Sequence, residues 1–218
     1  MNKQFLRNFF SKLKTAAKSL KTIAVVFLVI VLICYAIYAF FRFSYIKNKD
    51  TALDKINSTV LTMADVMGTN LPKMPDEELN NSTIAGVDAN NNMVRDDVEL
   101  AIFEKYPDSA KMRAALLQYA QALQLELTAV NSEEVMHDYL EKWGASYLCF
   151  LDAIDYYNDF NDGSGGYEFT KKINDEIDAI IINIQIRKNY REYIYKRFMT
   201  SSGDSGKKCD VEPVNLPN

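Results

Sequence analysis

A run of twenty residues without a charge constrains this chain more than any other feature. It extends from Thr22 to Phe41 and reads TIAVVFLVIVLICYAIYAFF. At about 1.5 Å per residue, a helix of this length spans about 30 Å, the thickness of a bilayer's hydrocarbon core. Lys21 and Arg42 bound the run, and aromatic side chains crowd its C-terminal end, where rings prefer the headgroup region. The run predicts one transmembrane helix over residues 22–41.

The basic residues around this helix predict its orientation. Arg42, Lys47 and Lys49 follow the span closely, whereas twice as many basic residues and no acidic residue precede it: Lys3, Arg7, Lys12, Lys14, Lys18 and Lys21. Basic residues favour the cytoplasmic side. The N-terminus is therefore expected in the cytoplasm and the larger C-terminal part outside it.

A cleaved signal peptide and a lipoprotein signal are the two alternatives to a retained anchor. A cleaved signal peptide has a shorter apolar core and small residues before the cleavage site, but this run is long and no Ala-x-Ala follows it. A lipoprotein signal needs a small residue before the lipidated cysteine, and the residue before Cys34 is the large Ile33. Both features favour an uncleaved transmembrane helix.

Residues 1–21 form a basic segment with apolar residues at helical spacing, among them Phe5, Phe9, Leu13 and Leu20. Such a pattern is typical of an amphipathic helix lying on the anionic cytoplasmic leaflet. The alternative, a solvated basic tail that only sets topology, remains open at this point.

The chain beyond the span is predicted to be all-α. Residues 42–86 are expected to form a stalk, helical as far as Gly68, and then a linker rich in Pro, Asn, Ser and Thr. Residues 87–200 are expected to form a helical-bundle domain, and residues 201–218 a polar tail that is mobile apart from Cys209. The apolar periodicity within the bundle predicts helices over 97–106, 109–130, 131–157 and 170–199, with a turn-rich loop at 158–166.

The charge balance excludes one class of partner. The chain's formal net charge is −4, yet after residue 21 there are 19 basic residues against 29 acidic ones. Nucleic-acid binding depends on basic patches that contact phosphates. The part beyond the span is therefore not expected to bind nucleic acid, although its charge is compatible with cations.

One segment carries recognisable chemistry, a twelve-residue loop of the calcium-binding type from Asp88 to Glu99. Calcium takes six to eight oxygen ligands, and alternate residues of a tight loop point their oxygens inward. The expected ligands, at loop positions 1, 3, 5, 7, 9 and 12, are Asp88, Asn90, Asn92, the backbone carbonyl of Val94, Asp96 and Glu99. The alternative is an Asn-rich turn before a helix whose first turn is acidic, an arrangement that the helix dipole favours without any metal.

Two positions depart from the usual EF-hand pattern. Position 6, usually a glycine with positive φ, is Met93, which is expected to strain the turn. Position 8, usually apolar, is Arg95, and the sequence contains no second loop to pair with the first. The prediction is a lone, EF-hand-like loop.

The stretch GVDANNNMVRDDVE at 86–99, followed by AIFEKYP, resembles a group of uncharacterised Gram-negative envelope proteins. In that group a segment of the type Gly-Ile-Asp-x-Asn-x-Asn-Gly-Val-Arg-Asp-Asp-Val-Glu opens a helical domain. A weaker likeness extends to a cysteine pair and to Arg187. The resemblance implies an exported calcium-loop domain, here anchored in a bacterial inner membrane with the domain in the periplasm, and it implies no known activity.

Cys149 and Cys209 lie beyond the span, where an extracytoplasmic location permits a disulfide between them. The alternative is two free thiols.

No catalytic constellation is visible: His137 is the only histidine, and no phosphate-binding glycine loop or nucleophile motif appears. Near the end of the chain, tyrosines and arginines form a cluster: Tyr190, Tyr193, Tyr195, Arg187, Arg191 and Arg197. They form either a recognition surface or a set of core tyrosines with a basic outer face, and the second interpretation is favoured.

The leading functional hypothesis is a membrane-anchored, non-enzymatic interaction module with a protein partner and calcium as its cofactor. One alternative is an envelope enzyme or enzyme subunit whose site the sequence does not show. Another is a protective, immunity-type protein in the periplasm.

Overall fold

The computed structural model describes residues 3–158, 164–201, 203, 206, 208–213 and 216–217. Every regular element in these residues is a helix, which confirms the all-α prediction. The chain divides into two compact units, Met1–Asn48 and Lys49–Asn218. The predicted loop at 158–166 lies partly outside the described residues, and its last three residues are helical.

The first unit consists of one helix, α1, which runs over Lys3–Ser58 and ends in the second unit. Within the described residues this is the helix that is long and apolar enough to cross a membrane, and none of its most apolar window is buried within the chain. Residues 3–20 are helical, although their side chains, apart from Arg7, lie outside the description.

The last turns of α1 belong to the second unit. Ala52 and Ile56 are buried there in an apolar cluster, and Lys49 forms an ion pair with Glu134 at 2.7 Å. The helix predicted to reach Gly68 instead ends at Ser58, and a separate short helix, α2, covers Met63–Met67. A further short helix, α3, occupies Glu77–Asn81 within the segment predicted to be a linker.

Three helices agree closely with the predicted ones: α4 over Asp96–Lys105, α5 over Ala110–Ala129 and α6 over Glu133–Asn158. Ser109 caps α5 by accepting a hydrogen bond from the N–H of Met112. Ser132 caps α6, since its hydroxyl accepts a hydrogen bond from the N–H of Val135 at 3.3 Å.

The single long helix predicted for 170–199 is wrong. Two helices occupy this region, α7 over Ser164–Ile181 and α8 over Gln185–Phe198. No glycine or proline marks the break between them.

Helix α5 is the centre of the second unit and is buried along almost its whole length. Its apolar residues fill the main core with parts of α4, α6 and α7. Its buried glutamines meet backbone groups of surrounding loops: the Nε2 of Gln118 donates to Lys208 at 2.7 Å, that of Gln121 to Asn92 at 2.8 Å and that of Gln124 to Ala85 at 2.6 Å. Polar residues on this helix therefore hold loops onto the core.

Part of the C-terminal tail packs on this unit, contrary to the expected mobile tail. Cys209 and Leu216 are buried, and the carboxylate of Asp210 accepts a hydrogen bond from the N–H of Leu61 at 3.0 Å. The sulfur atoms of Cys149 and Cys209 are 2.10 Å apart, which confirms the predicted disulfide. Cys34, in α1, is a free thiol.

Candidate functional site

The candidate loop connects the segment after α3 to the start of α4. Its two ends meet where the N–H of Asp96 donates to the carbonyl of Val87 at 2.9 Å. Because α4 begins at Asp96, Glu99 lies in the first helical turn, as the loop pattern requires. Val94, at position 7, is fully buried.

Asp88 organises the turn of the loop. Its two carboxylate oxygens accept hydrogen bonds from the backbone N–H groups of Asn92 at 3.1 Å and Met93 at 3.0 Å. The side-chain oxygen of Asn92 accepts from the N–H of Val94 at 2.8 Å, and that of Asp96 accepts from Ala89 at 2.9 Å. These bonds give the loop a defined conformation through its own side chains.

Glu99 faces the inside of this turn and is fully buried. Its carboxylate oxygens accept hydrogen bonds from the side-chain amides of Asn90 at 3.0 Å and Asn92 at 3.1 Å. The structure therefore brings the side chains of positions 3, 5 and 12 into direct contact, with Asp88 bonded to the same turn.

The carboxylates of the loop are electrostatically strained. Burial raises the pKa of Glu99 to about 7, against the opposing effect of the two asparagine amides, and the nearby Asp65 and Asp96 raise it further. Burial also raises the pKa of Asp88, opposed by hydrogen bonds from the backbone N–H groups of the turn and then by the charge of Lys55. Burial raises the pKa of Asp96 as well. Buried acids that crowd one another in this way favour either a proton or a cation.

Met93 has a φ of 64° and Asn91 a φ of 58°, both in the left-handed region. Asparagine tolerates this region, but methionine is strained there. The Met93 side chain packs against the apolar cluster formed with the end of α1, a contact that helps to hold the strained residue in place.

Arg95, at loop position 8, explains the break between α7 and α8. It is fully buried and pairs with Asp97 through two nitrogens, at 2.5 and 3.0 Å. Its guanidinium also donates to the carbonyl oxygens of Ile180 at 2.7 Å and Ile181 at 3.1 Å. These are carbonyls of the last helical turn, which lack partners within a helix, so Arg95 caps α7.

A second buried arginine holds the segment that enters the loop. Arg187 donates to the carbonyls of Asn80 at 2.6 Å and Ile84 at 3.0 Å. Burial, with the neighbouring Arg95, lowers its pKa to about 10. Gly86 has a φ of 70°, and a Cβ there would collide with the side chains of Arg95 and Asn80. Glycine is thus required in front of the loop for both conformation and space.

Carboxylates alone do not form a metal site at the loop, so any cation there needs amide and carbonyl oxygens as well. Across residues 3–158 and the later described segments, no group of three or more His, Cys, Asp or Glu side chains is placed to hold a metal ion. Next to the loop, the Oε1 atom of Gln121 is buried without a hydrogen-bond donor, while its Nε2 holds the Asn92 carbonyl. The donor set is thus a mixture of acids and neutral oxygens, which suits calcium better than a transition metal.

His137 and the C-terminal tyrosines lie outside the loop. His137 is partly exposed and lies 3.6 Å from Asp138 and 3.8 Å from Glu141. Among the C-terminal tyrosines, Tyr193 is exposed, whereas Tyr190 and Tyr195 are half-buried.

Comparison with known proteins gives no further identification: no protein-family model, no curated protein and no solved structure matches this chain. The resemblance of the loop to an envelope protein group therefore stays a prediction.

Sequence reasoning missed the residues that support the loop from outside. Gln121 and Gln124 lie on α5 within an otherwise apolar pattern, and glutamines recurring every three residues on a buried helix were the available signal. Arg95 was noted only as a departure from the usual pattern, and its partners on α7 cannot be read from the local sequence.

Proposed function

We propose that this protein is a calcium-binding interaction module anchored in the bacterial inner membrane, with its helical domain in the periplasm and no enzymatic activity of its own. The observation that carries the proposal is the buried carboxylate of Glu99, which faces two asparagine amides and is acted on by two further acids. A divalent cation neutralises such a cluster.

The residues of the loop fit calcium in their chemistry. Asp88, Asp96 and Glu99 supply charge, while Asn90, Asn92 and the Val94 carbonyl supply neutral oxygens. An asparagine amide that turns about its last bond exchanges its nitrogen for its oxygen in nearly the same shape. The amides that donate to Glu99 can therefore present oxygens to a cation held by that carboxylate, although for Asn92 this turn breaks the hydrogen bond from the N–H of Val94.

The proposed location is supported by three features. The apolar part of α1 is a candidate membrane span. Basic residues concentrate before that span, which favours an N-terminus in the cytoplasm. The bonded pair Cys149–Cys209 suits an oxidising compartment such as the periplasm.

An interaction role is supported by the neighbourhood of the loop. The segment over residues 60–79, here called the methionine segment, carries exposed apolar side chains: Val60, Met63, Met67, Leu71, Met74 and Leu79. Asn90 reaches this segment, because its amide donates to the carbonyl of Asn70 at 3.2 Å. A cation that turns the Asn90 amide therefore changes a contact to a surface rich in methionine, a residue that adapts to varied partners.

Two measurements test this function. Calorimetry on the full-length protein in a maltoside detergent is expected to show calcium binding in the range of about 10⁻⁴–10⁻³ M or slightly tighter, as for extracellular loops of this type. Glu99→Gln is expected to abolish it, and Glu104→Gln, an exposed acid of the same helix, to leave it unchanged.

Pull-down from solubilised membranes, with calcium or with a chelator, tests the interaction role. A partner retained only with calcium and lost with Glu99→Gln supports it. The proposal fails if millimolar calcium produces no heat, or if partners are retained equally with and without calcium.

A further inference from the structure

A cleft of about 510 Å³ opens between α5, α6, α7 and α8, away from the calcium loop residues. Its walls are mainly apolar and aromatic, with Tyr119, Trp143 and Tyr195 as the rings. The volume falls within the range of sites that enclose small organic molecules. Trp143 stacks on Tyr147 with the ring centroids 5.7 Å apart, so it is held in one orientation.

A chain of hydrogen bonds fixes one carboxylate at this cleft. Tyr139 donates to the fully buried Glu126 at 2.8 Å, and Glu126 accepts from two nitrogens of Arg191 at 2.6 and 3.0 Å. The remaining terminal nitrogen of Arg191 donates to both oxygens of Asp178, at 2.6 and 2.8 Å. A buried charge network is a costly way to stabilise a core compared with apolar packing, and here it positions Asp178.

Two acids and two bases line the cleft, and a negative excess arises because Arg191 also pairs with Glu126, which is buried and does not line the cleft. One guanidinium serves two carboxylates, which leaves an excess of one negative charge, while Lys188 and Glu192 at the rim have opposite signs. The side chain of Asp178 is 39% exposed, against 22% for Arg191. The nitrogens Nε, Nη1 and Nη2 of Arg191 point to carboxylates, so an anion entering the cleft meets them already occupied.

We infer that this cleft binds a small organic cation, an ammonium group carrying an apolar body. The cation would lie against the aromatic walls, whose ring faces attract positive charge, and beside the fixed carboxylate of Asp178. Burial, followed by the charge of Asp178, raises the pKa of Tyr119 to about 12, so this ring stays an uncharged phenol at neutral pH. The site is separate from the calcium loop and does not depend on the function proposed above.

Three probes of equal shape and different charge test the inference: choline, the uncharged 3,3-dimethylbutanol and the anion 3,3-dimethylbutanoate. Trp143 is the sole tryptophan of the chain, so the fluorescence of the full-length protein in maltoside detergent reports on the cleft. At constant ionic strength, choline is expected to give saturable binding about tenfold or more tighter than the alcohol, the effect of one fixed charge at close range. The anion is expected to bind weakest.

Two variants locate the effect. Asp178→Asn is expected to reduce the preference for choline over the alcohol to less than about threefold, while Lys188→Gln leaves it unchanged or increases it. Equal binding of choline and the alcohol, tighter binding of the anion, or no saturable response to choline would each overturn the inference. The ranking of the probes on the unmodified protein decides the matter even if Asp178→Asn fails to fold, and urea unfolding followed at Trp143 shows whether it does.

Discussion

Replacing Glu99 by glutamine should shift stability in opposite directions with and without calcium. Glutamine keeps the shape of the side chain and can still bond to Asn90 and Asn92 once one of their amides turns. It removes the charge that is buried beside Asp65 and Asp96. The calcium-free protein is therefore expected to gain stability from the change, whereas the calcium-bound protein loses a ligand.

The size of the gain follows from the pKa of Glu99. In the folded protein it is raised to about 7 from 4.5, so the folded state binds the proton more tightly than the unfolded chain. The cost of ionising Glu99 is absent below about pH 4.5, grows as the pH rises and is complete above about pH 7. The difference corresponds to about 3 kcal/mol at pH 8 and about 1 kcal/mol at pH 5.

Urea unfolding followed by Trp143 fluorescence measures both effects on the full-length protein. In chelator, Glu99→Gln should raise the free energy of unfolding by about 3 kcal/mol at pH 8 and by much less at pH 5. In calcium at about 100 times the dissociation constant, the unmodified protein should gain about 2.7 kcal/mol and the variant nothing. Glu104→Gln, on the exposed side of α4, serves as the control. A variant that is destabilised equally in chelator and in calcium would refute the reasoning, because it would make Glu99 a structural acid only.

Met93→Gly should tighten calcium binding and stabilise the calcium-free fold by about 1 kcal/mol, since it relieves the strain of a residue at φ 64°. Calorimetry measures the affinity and urea unfolding the stability. A loss of both affinity and stability would show that the packing of the Met93 side chain outweighs the strain. Calcium affinity should fall as the pH drops below about 7, because calcium must displace the proton that Glu99 then carries. The affinity measured by calorimetry should be lower at pH 6 than at pH 8. Equal affinities would count against Glu99 as a ligand. Cys149 and Cys209 should resist alkylation until a reductant is added, as mass spectrometry of the native protein would show; labelling of Cys209 without reductant would contradict the bond. A reporter active only outside the cytoplasm should work when fused after Asn218, and protease added to spheroplasts should digest the domain; a protected C-terminus would reverse the proposed topology.

The sequence was sufficient where local signals and the fold agree. The membrane-length helix followed from its uncharged run, and the approximate bounds of α4, α5 and α6 followed from apolar periodicity. The disulfide followed from the predicted extracytoplasmic location of two cysteines, because disulfides form in oxidising compartments. The positive φ of Met93 followed from its position in the loop pattern, since position 6 requires that turn.

What the sequence did not reveal depends on contacts between distant residues. The break after Ile181 has no local breaker, and it coincides with the capping of α7 by Arg95, 86 positions earlier in the chain. The packing of the tail rests on Asp210 and Leu61, which are 149 positions apart. The cleft is lined by residues of four helices, so periodicity within any one of them cannot disclose it. Helical periodicity gives the face that a residue lies on, but not the partner that the face meets.

Arg95 belongs to two neighbourhoods at once. It is position 8 of the loop that begins at Asp88, and it holds the last turn of α7, the helix whose Asp178 lines the cleft. Loss of this side chain would therefore remove the cap of α7 and leave Asp97 without its guanidinium partner at the same time. Arg95 has no exposed surface, so the loop and the end of α7 are joined from inside the protein.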